Sequence, residues 1–300
     1  MNILITGAAG FLGRSVARAL SSSGHNVYAL LKPGNQVALK YFKDLNLQIV
    51  RQDLMKLDTT SLPGGIEVLM TLAQSSKFRD FPHQSNDIFY VNVNANLELL
   101  NWALKTNVKH VIHASSGGIY GSPSNATQDF FLESDQLETI QPLGFYLGSK
   151  LCSEIVFKNY SHLFQSMTIL RPFFIYGPGQ NEQMFIARII KSIDIRKPIT
   201  LQGENGLRVN PIFVEDAAEA FCAALNLNGM NVLNVAGTEV LSLRDIVNII
   251  SNILGKPPQI TNLPGEPTDY IGDISLSIKK LSTPKTSFQD GVAQACAYLL

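Results

Sequence analysis

A five-residue apolar run, Asn2–Thr6, passes straight into Gly7-Ala8-Ala9-Gly10-Phe11-Leu12-Gly13, and this junction restricts the fold more than any other stretch. The run suits one buried strand. The G-x-x-G-x-x-G turn then opens a segment in which Leu12, Val16, Ala19 and Leu20 recur at helical spacing, and Gly24 stands where such a helix stops. The first N–H groups of a helix have no partner within it, so a glycine turn that brings backbone close to them forms a cradle for phosphate. In a chain with 22 glycines the spacing alone arises by chance; its place directly after the first strand gives it weight.

Short apolar runs at 2–6, 27–31, 47–52, 68–72, 110–114 and 167–170 alternate with helical patterns, which is the pattern of right-handed βαβ units around a parallel sheet. The segment 92–106 places Val93, Leu97, Leu100 and Leu104 on one helical face, expected to pack on the sheet. Past Tyr176 the pattern breaks at Gly177-Pro178-Gly179, so a second lobe is expected there. The reading assigns 1–176 to a dinucleotide-binding domain, with return segments near 209–240, and assigns 177–208 and 241–300 to a smaller lobe. Beyond Tyr176 a helix is expected near 184–193 and a short strand at 198–202, then, in the return segments, a run at 209–214 leading into a helix at 215–227 and a strand at 232–235 that rejoins the main sheet. Ser242 and Asp245 read as a variant capping box that opens a helix through Leu254.

Lys+Arg and Asp+Glu both number 24, so no basic field is available to hold a nucleic acid backbone. Cys152, Cys222 and Cys296 are odd in number and far apart, which argues against a disulfide framework and a zinc cluster; they read as small core residues in a reducing, cytoplasmic compartment, with no metal expected. The N-terminal residues lack a basic segment followed by a long apolar run, so neither secretion nor membrane anchoring is expected, and the glycosylation-like Asn125-Ala126-Thr127 is read as incidental.

Tyr146 and Lys150 stand four residues apart, on one face of a helix. A neighbouring ammonium stabilises phenolate, so such a tyrosine can exchange a proton with a substrate oxygen at neutral pH. After the fifth expected strand, at the sheet edge where ligands bind in open α/β folds, comes Ala114-Ser115-Ser116-Gly117-Gly118-Ile119-Tyr120-Gly121; either serine can donate to the reacting oxygen, and the glycines leave room for ligand rings. At the end of the second strand, where a carboxylate usually grips the ribose of NAD, the chain has Lys32. A cation there suits a 2′-phosphate, with Arg14 assisting, so NADP(H) is favoured and NAD(H) is the alternative. Asp53 is a candidate for the adenine edge, or else only caps the following turn.

With these residues the chain resembles the extended short-chain dehydrogenases, the nucleotide-sugar epimerase, dehydratase and 4-ketoreductase group. The likeness spans nearly the whole sequence and includes Leu72-Ala73-Gln74, Val91-Asn92-Val93-Asn94 and the string from Leu170 to Gln180. It implies an α/β fold, a Rossmann doubly wound parallel sheet with a smaller C-terminal substrate-binding lobe. It also implies Ser116, Tyr146 and Lys150 as the catalytic set. Cofactor contacts are implied at Gly7, Gly10, Phe11, Leu12, Gly13, Arg14, Lys32, Asp53, Leu54, Leu72, Ala73, Gln74, Asn92, Ser115, Tyr146, Lys150, Pro172 and Phe173. Substrate contacts are expected at Ser75, Ser116, Tyr146, Gln180 and Arg208, with Ser76 and Arg79 in the same class of loop; Arg208 matches a position that pairs with a substrate diphosphate. A homodimer through 92–106 and 146–160 is implied as well.

Two departures narrow the expectation. Ser116 is followed by Gly117-Gly118 where family dehydratases carry Asp-Glu, which disfavours a 4,6-dehydratase. Lys32 in place of the ribose carboxylate leans toward a reductase consuming NADPH. The expected activity is hydride transfer at C4 of a nucleotide-diphosphate hexose, as 4-ketoreductase or 4-epimerase. The alternatives are a reductase of a non-sugar carbonyl and a non-catalytic NADP(H)-sensing scaffold.

Overall fold

The computed structural model describes residues 1–35, 41–43, 45–122 and 129–300, so Asn125-Ala126-Thr127 lies outside the described residues. The opening junction folds as β1 (Asn2–Thr6) and α1 (Phe11–Ser22), followed by β2 (Asn26–Leu31), β3 (Leu47–Arg51) and β4 (Val68–Thr71). Helix α2 (Ser85–Phe89) runs through a π-helical turn, Tyr90–Asn94, into α3 (Ala95–Lys105), and β5 (His110–Ala114), α4 (Phe145–Tyr160) and β6 (Ser166–Pro172) follow. Beyond them come β7 (Ile175–Tyr176), α5 (Phe185–Asp194), β8 (Ile199–Gln202), β9 (Arg208–Val209), β10 (Ile212–Phe213), α6 (Val214–Ala223) and β11 (Gly229–Val235). The chain closes with β12 (Leu241–Ser242), α7 (Leu243–Leu254), β13 (Ile260–Leu263), α8 (Ser275–Lys280) and α9 (Phe288–Leu299).

Seven strands form one sheet in the order β11-β6-β5-β4-β1-β2-β3, with the ladders from β3 through β6 parallel. The chain proceeds outward from β1 to β3, then returns to place β4 on the other side of β1. The carboxyl ends of β1 and β4 therefore flank the switch point at which ligands bind in doubly wound sheets. The six strands expected in the first half all form within two residues of their expected ends; β1, β2, β4, β5 and β6 are apolar runs largely buried on both faces, whereas β3 at the sheet edge is half-exposed.

In the helix expected at 92–106, Val93 and Leu100 are buried and Leu104 packs on the core as expected, and Leu97 alone departs from the expected face. Leu99, Leu100, Trp102 and Ala103 pack with Leu4, Leu69 and Val111, whereas Leu97 is 37% exposed.

Two compact units divide the chain. The first comprises Met1–Ile119, Glu138–Arg171 and Ala218–Leu233, and the second Tyr120–Leu137, Pro172–Ala217 and Asn234–Leu300. The segment Tyr120–Leu137, expected with the first domain, falls in the second unit, because the Tyr120 and Phe131 rings stack at 4.7 Å and share a core with Phe173 and Ala236. Within the second unit, α5, α7 and α9 pack around an aliphatic core that includes Ile190, Ile193, Ile246, Ile250 and Val292. The run expected at 209–214 is split into β9 and β10 around Asn210-Pro211, since proline has no N–H to donate. Ser242 and Asp245 form the capping box in both directions, and α7 ends at Gly255 in the left-handed region (φ 61°). All three cysteines are free, but only Cys296 is buried; Cys152 is exposed, against the expectation of a core residue, because it points out of α4. Among the described residues, no helix is long and apolar enough to cross a membrane.

Candidate functional site

The glycine turn is built at van der Waals limits. Gly7 has φ 70°, and a Cβ on it would lie 2.6 Å from the Ala73 nitrogen; one on Gly13 would lie 2.1 Å from the Gly7 carbonyl oxygen. Gly7 thus lets the exit of β4 press against the exit of β1, and Gly13 lets α1 start directly on the turn. Gly10, the N-cap of α1, is exposed; no described side chain caps the helix and no acidic residue lies in its first turn. The N–H groups around Phe11, Leu12 and Gly13 therefore face an open, positive helix end that fits a pyrophosphate.

From that turn the chain of contacts leads to the phenol. Leu72 N donates to Thr6 O at 3.2 Å and Ala73 N to Thr6 Oγ1 at 3.3 Å, which fixes the Leu72-Ala73-Gln74 exit beside Gly7. The Tyr146 O–H donates to Gln74 Oε1 at 2.7 Å, and Lys150 Nζ donates to Ala114 O at 2.9 Å. Phenol and ammonium therefore stand over the carboxyl ends of β4 and β5. Burial lowers the Lys150 pKa to about 8, so the ammonium is still charged at neutral pH. Burial pushes the Tyr146 phenol up, not down as a flanking cation alone would, so its resting form carries the proton.

The two serines after β5 separate clearly. Ser115 is buried, its N–H donating to Leu170 O at 2.8 Å and its O–H to Glu154 Oε2 at 2.8 Å, which ties both groups into the scaffold. Ser116 is half-buried and its Oγ accepts from Gly118 N at 3.2 Å, an arrangement that leaves its own hydrogen to donate. Gly118 makes room for the Leu147 side chain, which a Cβ there would meet at 2.8 Å.

Of the other expected cofactor contacts, Asp53 caps the turn Leu54–Lys56 through Met55 N at 3.1 Å and pairs with Lys32 Nζ at 3.1 Å. Against the cost of burial, the Met55 N–H and the Lys32 ammonium hold the Asp53 carboxyl below its ordinary range. The Arg14 guanidinium lies 4.1 Å over the Tyr41 ring. Asn92 is buried in the π-helical turn, accepting from Ser75 N at 2.9 Å and donating to Ser149 Oγ at 2.8 Å. Ser75 is buried too and its O–H is held by Asp87, so it is part of the scaffold in this structure. Ser76 is exposed, and Arg79 lies over the Phe78 ring at 5.2 Å.

The remaining candidates belong to the second unit. The Phe173 ring is buried in the Tyr120/Phe131 core and its N–H donates to Val235 O at 2.9 Å, so, against the expectation, neither ring nor N–H is open to a ligand; Pro172 precedes it at the end of β6. The Gln180 amide donates to Ile175 O at 2.6 Å. Arg208 is half-exposed and gripped by Asp269, through Nε at 2.8 Å and Nη2 at 2.7 Å, beside a cavity of about 600 Å³ also lined by Gly206 and Ser242.

Residues 3–236 match the model of the NAD dependent epimerase/dehydratase family. The chain belongs to that family. Among its curated relatives, an uncharacterized UDP-glucose epimerase of Bacillus subtilis is 29% identical over 100% of this chain and 98% of its own length. UDP-glucuronate 4-epimerase of Thermodesulfobacterium geofontis is 28% identical over 96% of this chain and 93% of its own. Among solved structures, UDP-glucuronic acid 4-epimerase of Bacillus cereus in complex with UDP-glucuronic acid and NAD superposes with a TM-score of 0.84 at 28% identity, covering 100% of this chain and 99% of that one. MoeE5 in complex with UDP-glucose and NAD gives 0.83 at 25% identity, covering 99% and 98%. The Rossmann-type α/β sheet expected from the sequence is thus the fold of this epimerase/dehydratase. The expected preference for NADP(H) gains no support, since both of these structures hold NAD.

Sequence reasoning passed over Glu154 and His113. Glu154 continues the four-residue spacing of Tyr146 and Lys150, a signal present in the sequence, and is fully buried against Arg171 and Ser115. His113 is buried between Thr71 Oγ1 at 2.8 Å and Ser153 Oγ at 3.3 Å and stacks on Phe157; burial and the Lys150 charge hold it well below its ordinary pKa, hence neutral. Its place inside the apolar run 110–114 marks it as buried, but nothing in the local sequence names its partners.

Proposed function

We propose that this epimerase/dehydratase is an NAD-dependent 4-epimerase of UDP-sugars. The reading is carried by one arrangement: Gly7 abuts Ala73, and the next residue, Gln74, accepts the proton of Tyr146, so the phosphate cradle and the phenol share the β4 exit. Inverting a carbinol without net redox change requires the carbon to become a planar ketone and to be reduced again from the other face. When bound, the nicotinamide accepts and returns the hydride. With the resting phenol's proton drawn off by Lys150 and the positive charge of the oxidised cofactor, Tyr146 Oη is the phenolate that takes the hydroxyl proton on oxidation and returns it to the same oxygen on reduction. Ser116 Oγ donates to that oxygen, and Lys150 offers its ammonium to the cofactor ribose and to the charge that develops on Tyr146.

NAD is preferred over NADP because Lys32 is already neutralised by Asp53, so a 2′-phosphate meets an ion pair rather than a lone cation. In the second unit Arg208 is the cation suited to the substrate diphosphate, once Asp269 yields its place. Leu97 of α3 and Ile155 of α4, both exposed, are suited to burial in a homodimer, and the free thiols are in keeping with a cytoplasmic protein.

The test is stoichiometric. UDP-glucose and UDP-glucuronate, incubated with catalytic NAD and no reductant, are expected to give their C4 epimers by anion-exchange chromatography. Turnover only with one equivalent of NADPH per product, or only with a carbonyl compound lacking a nucleotide, replaces the epimerase with a reductase. Sedimentation at micromolar concentration tests the dimer, with a monomer as the contrary result.

A further inference from the structure

We infer that Glu154 is a positioning residue: its carboxylate locks the helix carrying Tyr146 and Lys150 onto the residue next to Ser116. The inference rests on the reading of Ser116, Tyr146 and Lys150 as the reacting set. Tyr146, Lys150, Glu154 and Lys158 follow one another at four-residue spacing along one stripe of α4. Glu154 is fully buried, yet four donor hydrogens converge on it: Ser115 Oγ at 2.8 Å, Arg171 Nε at 3.2 Å, Arg171 Nη2 at 2.5 Å and Lys158 Nζ at 2.8 Å. One turn earlier on the same stripe, Lys150 Nζ donates to Ala114 O. Two rungs thus join consecutive residues, Ala114 and Ser115, to consecutive turns of α4, while Arg171 joins the same carboxylate to β6. Together they fix both the rotation of α4 about its axis and its register along β5. Ser116 is the next residue along, so these rungs set where its hydroxyl stands relative to the Tyr146 phenol.

Stability alone does not call for this arrangement. A buried ion pair replaced by apolar side chains of similar volume is often as stable or more so. What the apolar pair lacks is direction, and a misplacement of about 1 Å in a reacting group costs on the order of 100-fold in rate.

The experiment replaces the pair in the full chain with Glu154→Leu/Arg171→Met and, separately, makes Ser115→Ala, which leaves Glu154 its three cationic donors. The readouts are melting temperature, NAD affinity by calorimetry, and kcat and KM for the UDP-sugar. The expected result is a melting temperature near wild type, a KM within about twofold, and a kcat lowered by about 10- to 100-fold in both proteins. NAD affinity is expected to fall about fivefold as the Lys150 rung loosens, and Ser115→Thr, which restores the hydroxyl, is expected to recover most of both losses. Wild-type kcat and NAD affinity in the stable double variant overturn the inference, as does a loss of rate that only tracks a loss of stability. If the wild-type protein binds NAD but turns over no UDP-sugar, the proposed reaction fails and the calorimetry alone decides on Glu154.

Discussion

The two units keep their interiors in order by different means. Beneath the candidate site, the first unit buries a connected polar set: Asn96 donates to Asn92 O and Ser153 Oγ, Ser153 meets His113, and His113 meets Thr71. Beside it, Glu154 joins Ser115 to Arg171. The second unit fills the space among α5, α7 and α9 with Ile186, Ile189, Ile190, Ile246, Val247 and Val292, whose side chains have no preferred partner. Burial of apolar area is non-directional, so such a core holds helices together without fixing small rotations. Hydrogen bonds fix direction, and they are costly to leave half made. The polar interior lies under the helix that carries Tyr146 and Lys150, whose side chains the proposed reaction requires to point at one oxygen.

The comparison is broken most sharply at the phenol itself. Tyr146→Phe removes the proton carrier while leaving the polar set intact, and kcat is expected to fall by about 100- to 10,000-fold with melting temperature and NAD affinity unchanged, by steady-state kinetics and calorimetry. In the second unit the effect is reversed in kind. Ile190→Ala is expected to lower stability by about 2 to 5 kcal/mol in denaturant melts, with the remaining folded protein turning over normally. Asn96→Ala, which strips two hydrogen bonds from the polar set, costs less, about 1 to 3 kcal/mol, yet is expected to slow turnover because the helix pair beneath the site loses its register.

A pH scan sharpens the contrast. Folded His113 has its pKa well below 6.5, so at acid pH the unfolded chain binds a proton that the folded one does not. The sign follows: stability is fully present above pH 6.5 and is lost as pH falls toward the lower folded value, by at most about 1.4 kcal/mol per pH unit. Denaturant midpoints of wild type and His113→Gln between pH 7 and 5 are expected to converge toward acid pH. A constant difference would mean that His113 does not titrate on unfolding. The smallest effect is at the cofactor edge, where Asp53→Asn frees Lys32 and is expected to shift the ratio of NAD to NADP affinity toward NADP by about fivefold, as measured by titration.

Much of this molecule was legible in its residues. The glycine turn, the parallel strands and the Tyr146/Lys150 pair depend on contacts within a few residues, so spacing reveals them. The capping box at Ser242 and Asp245 was legible for the same reason. In α3 the apolar spacing marks Leu100 correctly but not Leu97, because the buried face is centred on Leu99, Trp102 and Ala103 and leaves Leu97 at its exposed edge. Lys32 reads as a cation open to a 2′-phosphate because the carboxylate that meets it, Asp53, comes 21 residues later, past the end of β3.

The sequence by itself determined that a tight glycine turn opens a doubly wound sheet and that a phenol and an ammonium share a helix face, because short-range sterics and helical periodicity set both. Only the tertiary structure decided which serine is free, since Glu154 claims Ser115 from 39 residues away. It also decided that Tyr120–Leu137 joins the second unit and that Arg208 faces Asp269. In each case the partner is distant in the chain, and the pairing exists only once long-range packing has brought the two together.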